Sequence, residues 1–224
     1  MNVYVLKRSK TKYYKEVVTE NTTELVEGVS LWTQPVLTSN GTLGGNSFAV
    51  SATSSYNSSF AAWKALDGKT DTAWICENDI TLPTYYTLDM GKNVNVTQLS
   101  FVNRVNNGSY MLSPIGTVEI YGTNGDYTDV STDWVFLKRY TNTEIESGGE
   151  WSIDLSDNKD FYKYYQLRFT ELNTKNNQYN RLSLAELNIT GYTFDVIKTE
   201  DIFYSLRHGD NAYLLCRENK QWLI

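Results

Sequence analysis

The run Ala65-Leu66-Asp67-Gly68-Lys69-Thr70-Asp71-Thr72-Ala73-Trp74 decides how this chain is read. It continues Phe60-Ala61-Ala62-Trp63-Lys64-Ala65-Leu66, the helical candidate of the sequence, and Gly68 stands where such a short turn ends, because glycine takes a positive φ without a Cβ clash. Gly68-Lys69-Thr70 looks like the tail of a phosphate-binding loop, but that motif needs glycine at position 63, where Trp63 stands. A P-loop is thereby excluded.

Outward from this run the apolar residues recur with period two. In Leu99-Ser100-Phe101-Val102-Asn103, Val118-Glu119-Ile120-Tyr121-Gly122, Tyr165-Gln166-Leu167-Arg168-Phe169 and Ala185-Glu186-Leu187-Asn188-Ile189, every second residue is apolar or small. That pattern predicts strands with one face in a core. Between them lie Asn106-Asn107-Gly108-Ser109, Thr123-Asn124-Gly125-Asp126 and Ser147-Gly148-Gly149, rich in the residues that tight turns require. Composition agrees: 17 Tyr, 6 Trp and only 3 Pro in 224 residues, with Thr, Ser and Asn at 64 positions, is the vocabulary of strands and polar loops. The expectation is an all-β antiparallel sandwich, one domain with extras at its ends.

Charge and residue counts remove several function classes. A net charge of −6 opposes phosphate backbones and anionic lipid, so neither nucleic acid nor membrane insertion is expected. Cys76 and Cys216 match no CxxC spacing and read as two free thiols. The single histidine, His208, reads as a solvated residue of the turn Arg207-His208-Gly209-Asp210-Asn211, which leaves no histidine for a Ser-His-Asp triad or a His-rich zinc site. No spacing singles out a carboxylate pair among the 26 acids, so a non-enzyme is expected. The first eight residues hold no signal-like apolar run, and no stretch nears 18 apolar residues, which predicts cytoplasmic synthesis of a soluble protein.

Five blocks carry a family resemblance. Ala65–Trp74 resembles the A-x-D-G-x-x-x-T-x-W signature of discoidin-type domains, the group that includes coagulation factor 5/8 type C domains and family-32 carbohydrate-binding modules. Tyr86-Thr87-Leu88-Asp89-Met90-Gly91, Val118–Asp126, Tyr164–Phe169 and Leu184–Tyr192 resemble its later strands, in the family's order. The resemblance spans about 34–192 and implies a jelly-roll, galactose-binding-like sandwich. It also implies a structural Ca²⁺ site at Asp67, Thr72 and Glu186, with backbone carbonyls completing the hard oxygen set.

In relatives of this kind, ligands are bound by loops at one end of the sandwich, here 54–60, 76–82, 103–114 and 172–183. Sugars need flat aromatic faces and planar polar side chains. Asn103, Arg104, Asn106 and Tyr110 supply that chemistry on one loop, and Asn177, Tyr179 and Arg181 on another. The expected ligand is a glycan. Lipid binding of the coagulation-factor kind is the lesser option, given the acidic charge.

The ends form a degenerate repeat. Tyr4-Val5-Leu6-Lys7-Arg8 to Tyr14 and Tyr204-Ser205-Leu206-Arg207-His208 to Leu214 share a tyrosine, a leucine, a basic residue and a second tyrosine at equal spacing. Each reads as a small β-hairpin arm, giving three regions: 1–33, 34–192 and 193–224. Such arms can pair with each other or add strands to a neighbouring protein. A discoidin-like domain with docking arms resembles accessory virion proteins of bacteriophages. That resemblance implies a multimeric capsid or tail protein on the virion surface, attached through its arms to other virion structural proteins and binding cell-surface or mucosal glycans; the alternative is a purely structural cement protein.

Overall fold

A computed structural model of the chain describes residues 3–8, 13–19, 22–27, 29–105, 113–128, 133–144, 146–173, 179–194, 205–208 and 211–216, with side chains described between 30 and 193. In chain order the strands are β1 (Val3–Arg8), β2 (Tyr13–Thr19), β3 (Thr22–Glu27), β4 (Val29–Trp32), β5 (Ala49–Ala52), β6 (Trp74–Ile75), β7 (Thr84–Val102), β8 (Ile115–Thr123), β9 (Val135–Thr141), β10 (Glu150–Asp154), β11 (Tyr162–Leu172), β12 (Ser183–Leu184), β13 (Glu186–Phe194), β14 (Ser205–His208) and β15 (Asn211–Cys216). The helical candidate is realised as two 3₁₀ turns, Ser58–Phe60 and Ala62–Leu66. No helix among the described residues is long and apolar enough to cross a membrane.

The chain divides into two compact units, Trp32–Gly191 and a terminal unit of Met1–Leu31 with Tyr192–Ile224. In the terminal unit five strands run in the order β14-β15-β1-β2-β3. β1 and β2 form one antiparallel hairpin and β14 and β15 another; they join edge to edge, with Tyr4 opposite Cys216 and Leu6 opposite Leu214. β14 extends through His208, which pairs with Asn211, so the histidine is the last residue of the strand at the point where the hairpin turns.

The larger unit is the antiparallel β-sandwich. Its main sheet runs β4-β13-β7-β11-β8-β9, with β5 and β10 also on β7, and β6 pairs with β12. The blocks at 86–91 and 99–103, read as separate strands in the sequence, belong to one long strand. β7 bends at Gly91, whose φ of +72° suits glycine and whose Cβ, if present, would lie 2.8 Å from the Ser47 carbonyl carbon. Its first half pairs with β5 and β11 and its second half with β10. The bend is pinned from the core: the buried Tyr165 hydroxyl donates to the Val94 carbonyl at 2.7 Å and accepts from the Val96 amide at 3.0 Å.

The period-two pattern points one face of each strand inward. Tyr86, Leu88, Ile120, Leu167 and Phe169 are fully buried with Trp74, Leu66 and Leu99. Trp74 packs its ring 5.0 Å from Tyr86 and 5.8 Å from Phe169, and Phe101 stacks on Trp151 at 4.0 Å. Trp74 Nε1 donates to the Ser54 carbonyl, which fixes the Ser54–Phe60 loop to the core.

Candidate functional site

Loops from distant parts of the sequence converge at one end of the sandwich. Tyr56 is set by its amide, which donates to the Ile75 carbonyl at 2.8 Å, and Asn57 caps the next turn through its side chain. Across from it, Asp79 and Asn180 both adopt left-handed backbone, which Asp and Asn tolerate. This lets the two loops zip together: Asp79 N–H donates to Tyr179 O, Ile80 N–H to Asn180 O, and Asn180 Nδ2 to Asp79 Oδ1.

The result is a continuous run of flat groups. The Arg104 guanidinium lies 5.7 Å from the Phe60 ring, Phe60 is 6.2 Å from Tyr56, and Arg181 lies 5.6 Å from Tyr56 and 4.7 Å from Tyr179. Each distance is within or close to cation–π or ring-contact range. Arg181 is 6% exposed and donates to Asn78 Oδ1 at 3.1 Å, whereas Tyr56 and Tyr179 are 49% and 40% exposed. Arg181 thus acts as a rigid base, and the tyrosines present the free surface. Below lies Cys76, a buried free thiol that accepts from the Leu182 amide at 2.8 Å. Burial pushes its pKa up to about 11, against the Leu182 amide and the Arg181 charge, so it is inert at neutral pH.

Of the sequence-derived ligand residues, Arg104, Tyr179 and Arg181 meet in this run. Asn103 does not. It is 3% exposed; its Nδ2 donates to the Glu144 and Glu146 carbonyls and its Oδ1 accepts from Trp151 Nε1. Both ends of the amide are consumed in holding the 142–149 loop, so Asn103 supports the rim and meets no ligand. Asn106, Tyr110 and Asn177 lie outside the described residues. Tyr56, Phe60 and Asn78 are additions: their loops were legible, but only the fold shows that Tyr56 and Phe60, two aromatics in a serine-rich loop, bridge the two arginines.

Asp67, Thr72 and Glu186 also converge. Thr72 Oγ1 lies 2.8 and 3.0 Å from the two Asp67 oxygens, 3.2 Å from the Lys69 carbonyl and 3.4 Å from the Lys64 carbonyl. One hydroxyl proton can serve one of these four acceptors. Lys64 Nζ adds an ion pair to Asp67 at 3.5 Å. Glu186 is 4% exposed and its Oε2 has no hydrogen-bond partner; burial, reinforced by the Asp67 charge, pushes its pKa up to about 7 against the Gly68 and Lys69 amides. Among the described residues no three His, Cys, Asp or Glu side chains converge, so the oxygen set relies on a hydroxyl and carbonyls. An orphaned buried carboxylate oxygen beside a crowded oxygen cluster fits a hard divalent cation, which Asp67, Thr72, Glu186 and the Lys64 and Lys69 carbonyls would hold.

The sequence pattern of DUF5000, described as a domain of unknown function, matches residues 63–186, from the 3₁₀ turn through the oxygen cluster to Glu186. The chain belongs to the DUF5000 family. This DUF5000 chain matches no curated protein. Among solved structures, it is similar to the family 32 carbohydrate-binding module of Clostridium perfringens NanJ in complex with galactose: 19% identity, 65% of this chain and 93% of that one, TM-score 0.50. An F5/8 type C domain from Bacteroides fragilis gives 18% identity over 64% and 90%, TM-score 0.50. A fucolectin from striped bass serum gives 16% identity over 67% and 47%, TM-score 0.50. At such identities the likeness is one of fold, and it bears out the discoidin-type sandwich expected for this DUF5000 member.

Proposed function

We propose that this chain is a non-catalytic carbohydrate-binding module whose ligand site is the Arg104–Phe60–Tyr56–Arg181–Tyr179 run. The observation that carries the reading is the pair of exposed tyrosine faces backed by a buried, fixed guanidinium. Tyr179 and Tyr56 offer flat surfaces for the C–H face of a pyranose, and the arginines and Asn78 offer planar polar groups for its hydroxyls. The galactose complex of a protein of the same fold supports this choice of ligand class. The Asp67–Thr72–Glu186 cluster is proposed to hold Ca²⁺ in a structural role, fixing the 67–72 loop.

The terminal sheet favours a companion role. Because β1 lies between β15 and β2, both ends of the chain are gathered in one sheet with two outer strands, β14 and β3, that can accept a further strand. We read this unit as an attachment device that displays the module in many copies, a bacteriophage particle being the setting that the virion-protein resemblance suggests. Weak single-site sugar affinity would then be raised by avidity.

A glycan array probed with the multimerised full-length chain, in calcium and again in chelator, tests the reading. A specific glycan signal that falls on Tyr179→Ala is expected. A blank array from folded protein would overturn glycan binding and leave attachment through the terminal sheet as the function.

A further inference from the structure

A second cluster lies on the solvent face of the main sheet, built by strand register and independent of the loop-end reading. Thr87 stands opposite Gln166, Gln166 opposite Tyr121, and Tyr121 opposite Phe136; in the neighbouring row Tyr85 faces Arg168, Arg168 faces Glu119, and Glu119 faces Arg139. Their chain neighbours Tyr86, Leu167, Phe169 and Ile120 point into the core, so these rows lie on the outer side of the sheet, with Thr87 buried at their β7 end. The rows cross from β7 to β9, three strand spacings or about 14 Å.

We propose that this face binds a carboxylate-bearing saccharide. Arg168 sits at its centre. Its guanidinium carbon lies 3.9 Å from the Tyr121 ring, 5.7 Å from Trp134 and 5.9 Å from Tyr85. Its Nε donates to Gln166 Oε1 at 2.7 Å, and Gln166 Nε2 donates to Thr87 Oγ1 at 3.2 Å, so the guanidinium is held in one orientation. The nearby carboxylates are already committed: Glu119 accepts from Tyr121 OH at 3.0 Å and pairs with Arg139 at 3.4 Å, and Glu171 accepts from Thr117 at 2.6 Å and pairs with Arg139 at 3.5 Å.

Among the described residues Arg168 makes no ion pair within 4 Å; its charge meets ring faces, the Gln166 amide and the Tyr121 hydroxyl, while Glu119, opposite it in register, is held by Tyr121 and Arg139. A fixed guanidinium without a counter-ion is complementary to a carboxylate. The surrounding surface specifies what carries that carboxylate. Phe136 is 53% exposed and packs edge-on against Tyr121 at 5.4 Å, giving a flat apolar step beside the cation. Rings flanking a cation on a level sheet accept the C–H faces of sugar rings while the guanidinium takes the acid group. The chain's net charge of −6 is no obstacle at contact range, because ionic screening confines distant charges to about 8 Å at physiological salt.

The test is an NMR titration of the full-length ¹⁵N-labelled chain with 3′-sialyllactose and, in parallel, with lactose, which lacks the carboxylate. Amide shifts at 119–121, 134–137 and 166–168 are expected with the acidic sugar and at least about tenfold weaker binding with lactose. Arg168→Gln should abolish the preference, and Phe136→Ala, an exposed position that leaves the core intact, should weaken sialyllactose binding about tenfold. Tyr179→Ala should leave these shifts unchanged, which separates this face from the loop-end site. Three results would each overturn the proposal: no shifts on this face with sialyllactose, equal binding of lactose, or wild-type affinity in Phe136→Ala.

Discussion

The Thr72 hydroxyl lies within 2.8 and 3.0 Å of the two carboxylate oxygens of Asp67, a single proton facing a pair of acceptors with two carbonyls behind them. Asp67 also accepts from the Lys69 amide at 3.1 Å and pairs with Lys64 at 3.5 Å; a cation bound here would add a further partner for this oxygen cluster. Calcium at a hundred times its Kd should therefore stabilise the chain by about 2.7 kcal/mol, a rise in Tm of roughly 5–10 °C. Thr72→Val removes one ligand and should lose most of that rise in differential scanning fluorimetry. An equal Tm with calcium and with chelator would remove the metal from the account.

Glu186 gives a pH signature to the metal-free chain. Its folded pKa of about 7 lies above the ordinary carboxylate value of 4.5, so between these values the folded state binds more protons than the unfolded state. Stability should therefore fall as pH rises from about 4.5 through 7, the reverse of a salt-bridged acid. Urea titrations in chelator across this window should show the fall in wild type and a flatter profile in Glu186→Gln. A wild-type profile as flat as the variant's contradicts the assignment.

Tyr179 is 40% exposed and rests on Arg181, so its ring contributes surface more than stability. Tyr179→Ala should cost tenfold or more in glycan affinity, the loss of one stacking face, while Tm moves by less than about 2 °C. Isothermal titration with the glycan found on the array measures the first, and thermal unfolding the second.

Gly91→Ala should destabilise the sandwich by at least about 2 kcal/mol. A φ of +72° costs an L-residue roughly 1–2 kcal/mol, and the added methyl would meet the Ser47 backbone at 2.8 Å, where no flexible side chain can give way. Chemical denaturation measures this directly; a loss under 0.5 kcal/mol would show that the bend relaxes freely.

The sandwich was legible because stretches of its strands alternate apolar and polar residues, and the oxygen cluster because Asp67, Gly68 and Thr72 are close in sequence and chemically specific. The ligand run was half legible. Arg104, Tyr179 and Arg181 could be chosen for their chemistry, but Asn103 has the same chemistry and is spent inside the fold, a difference set by the Trp151 indole and the 142–149 loop far along the chain. Tyr56 and Phe60 were hidden because nothing local distinguishes a loop aromatic that bridges two arginines from one that packs alone. The sheet-face cluster was hidden for another reason: Gln166 and Arg168 are the polar half of an alternating strand, and only the register with β7, β8 and β9 surrounds them with rings.

The antiparallel contact of β1 with β15 imposes an order on the chain's birth. During synthesis β1 can pair at once with β2, a neighbour a few residues away, but its other edge stays open until residues near Leu214 emerge. Among the described strand pairs, closing that distance carries the largest loop entropy, so the terminal sheet should be completed after the sandwich has formed. A chain that ends before β15 would carry a finished sandwich with an exposed β1 edge, the state in which two copies are best placed to exchange strands.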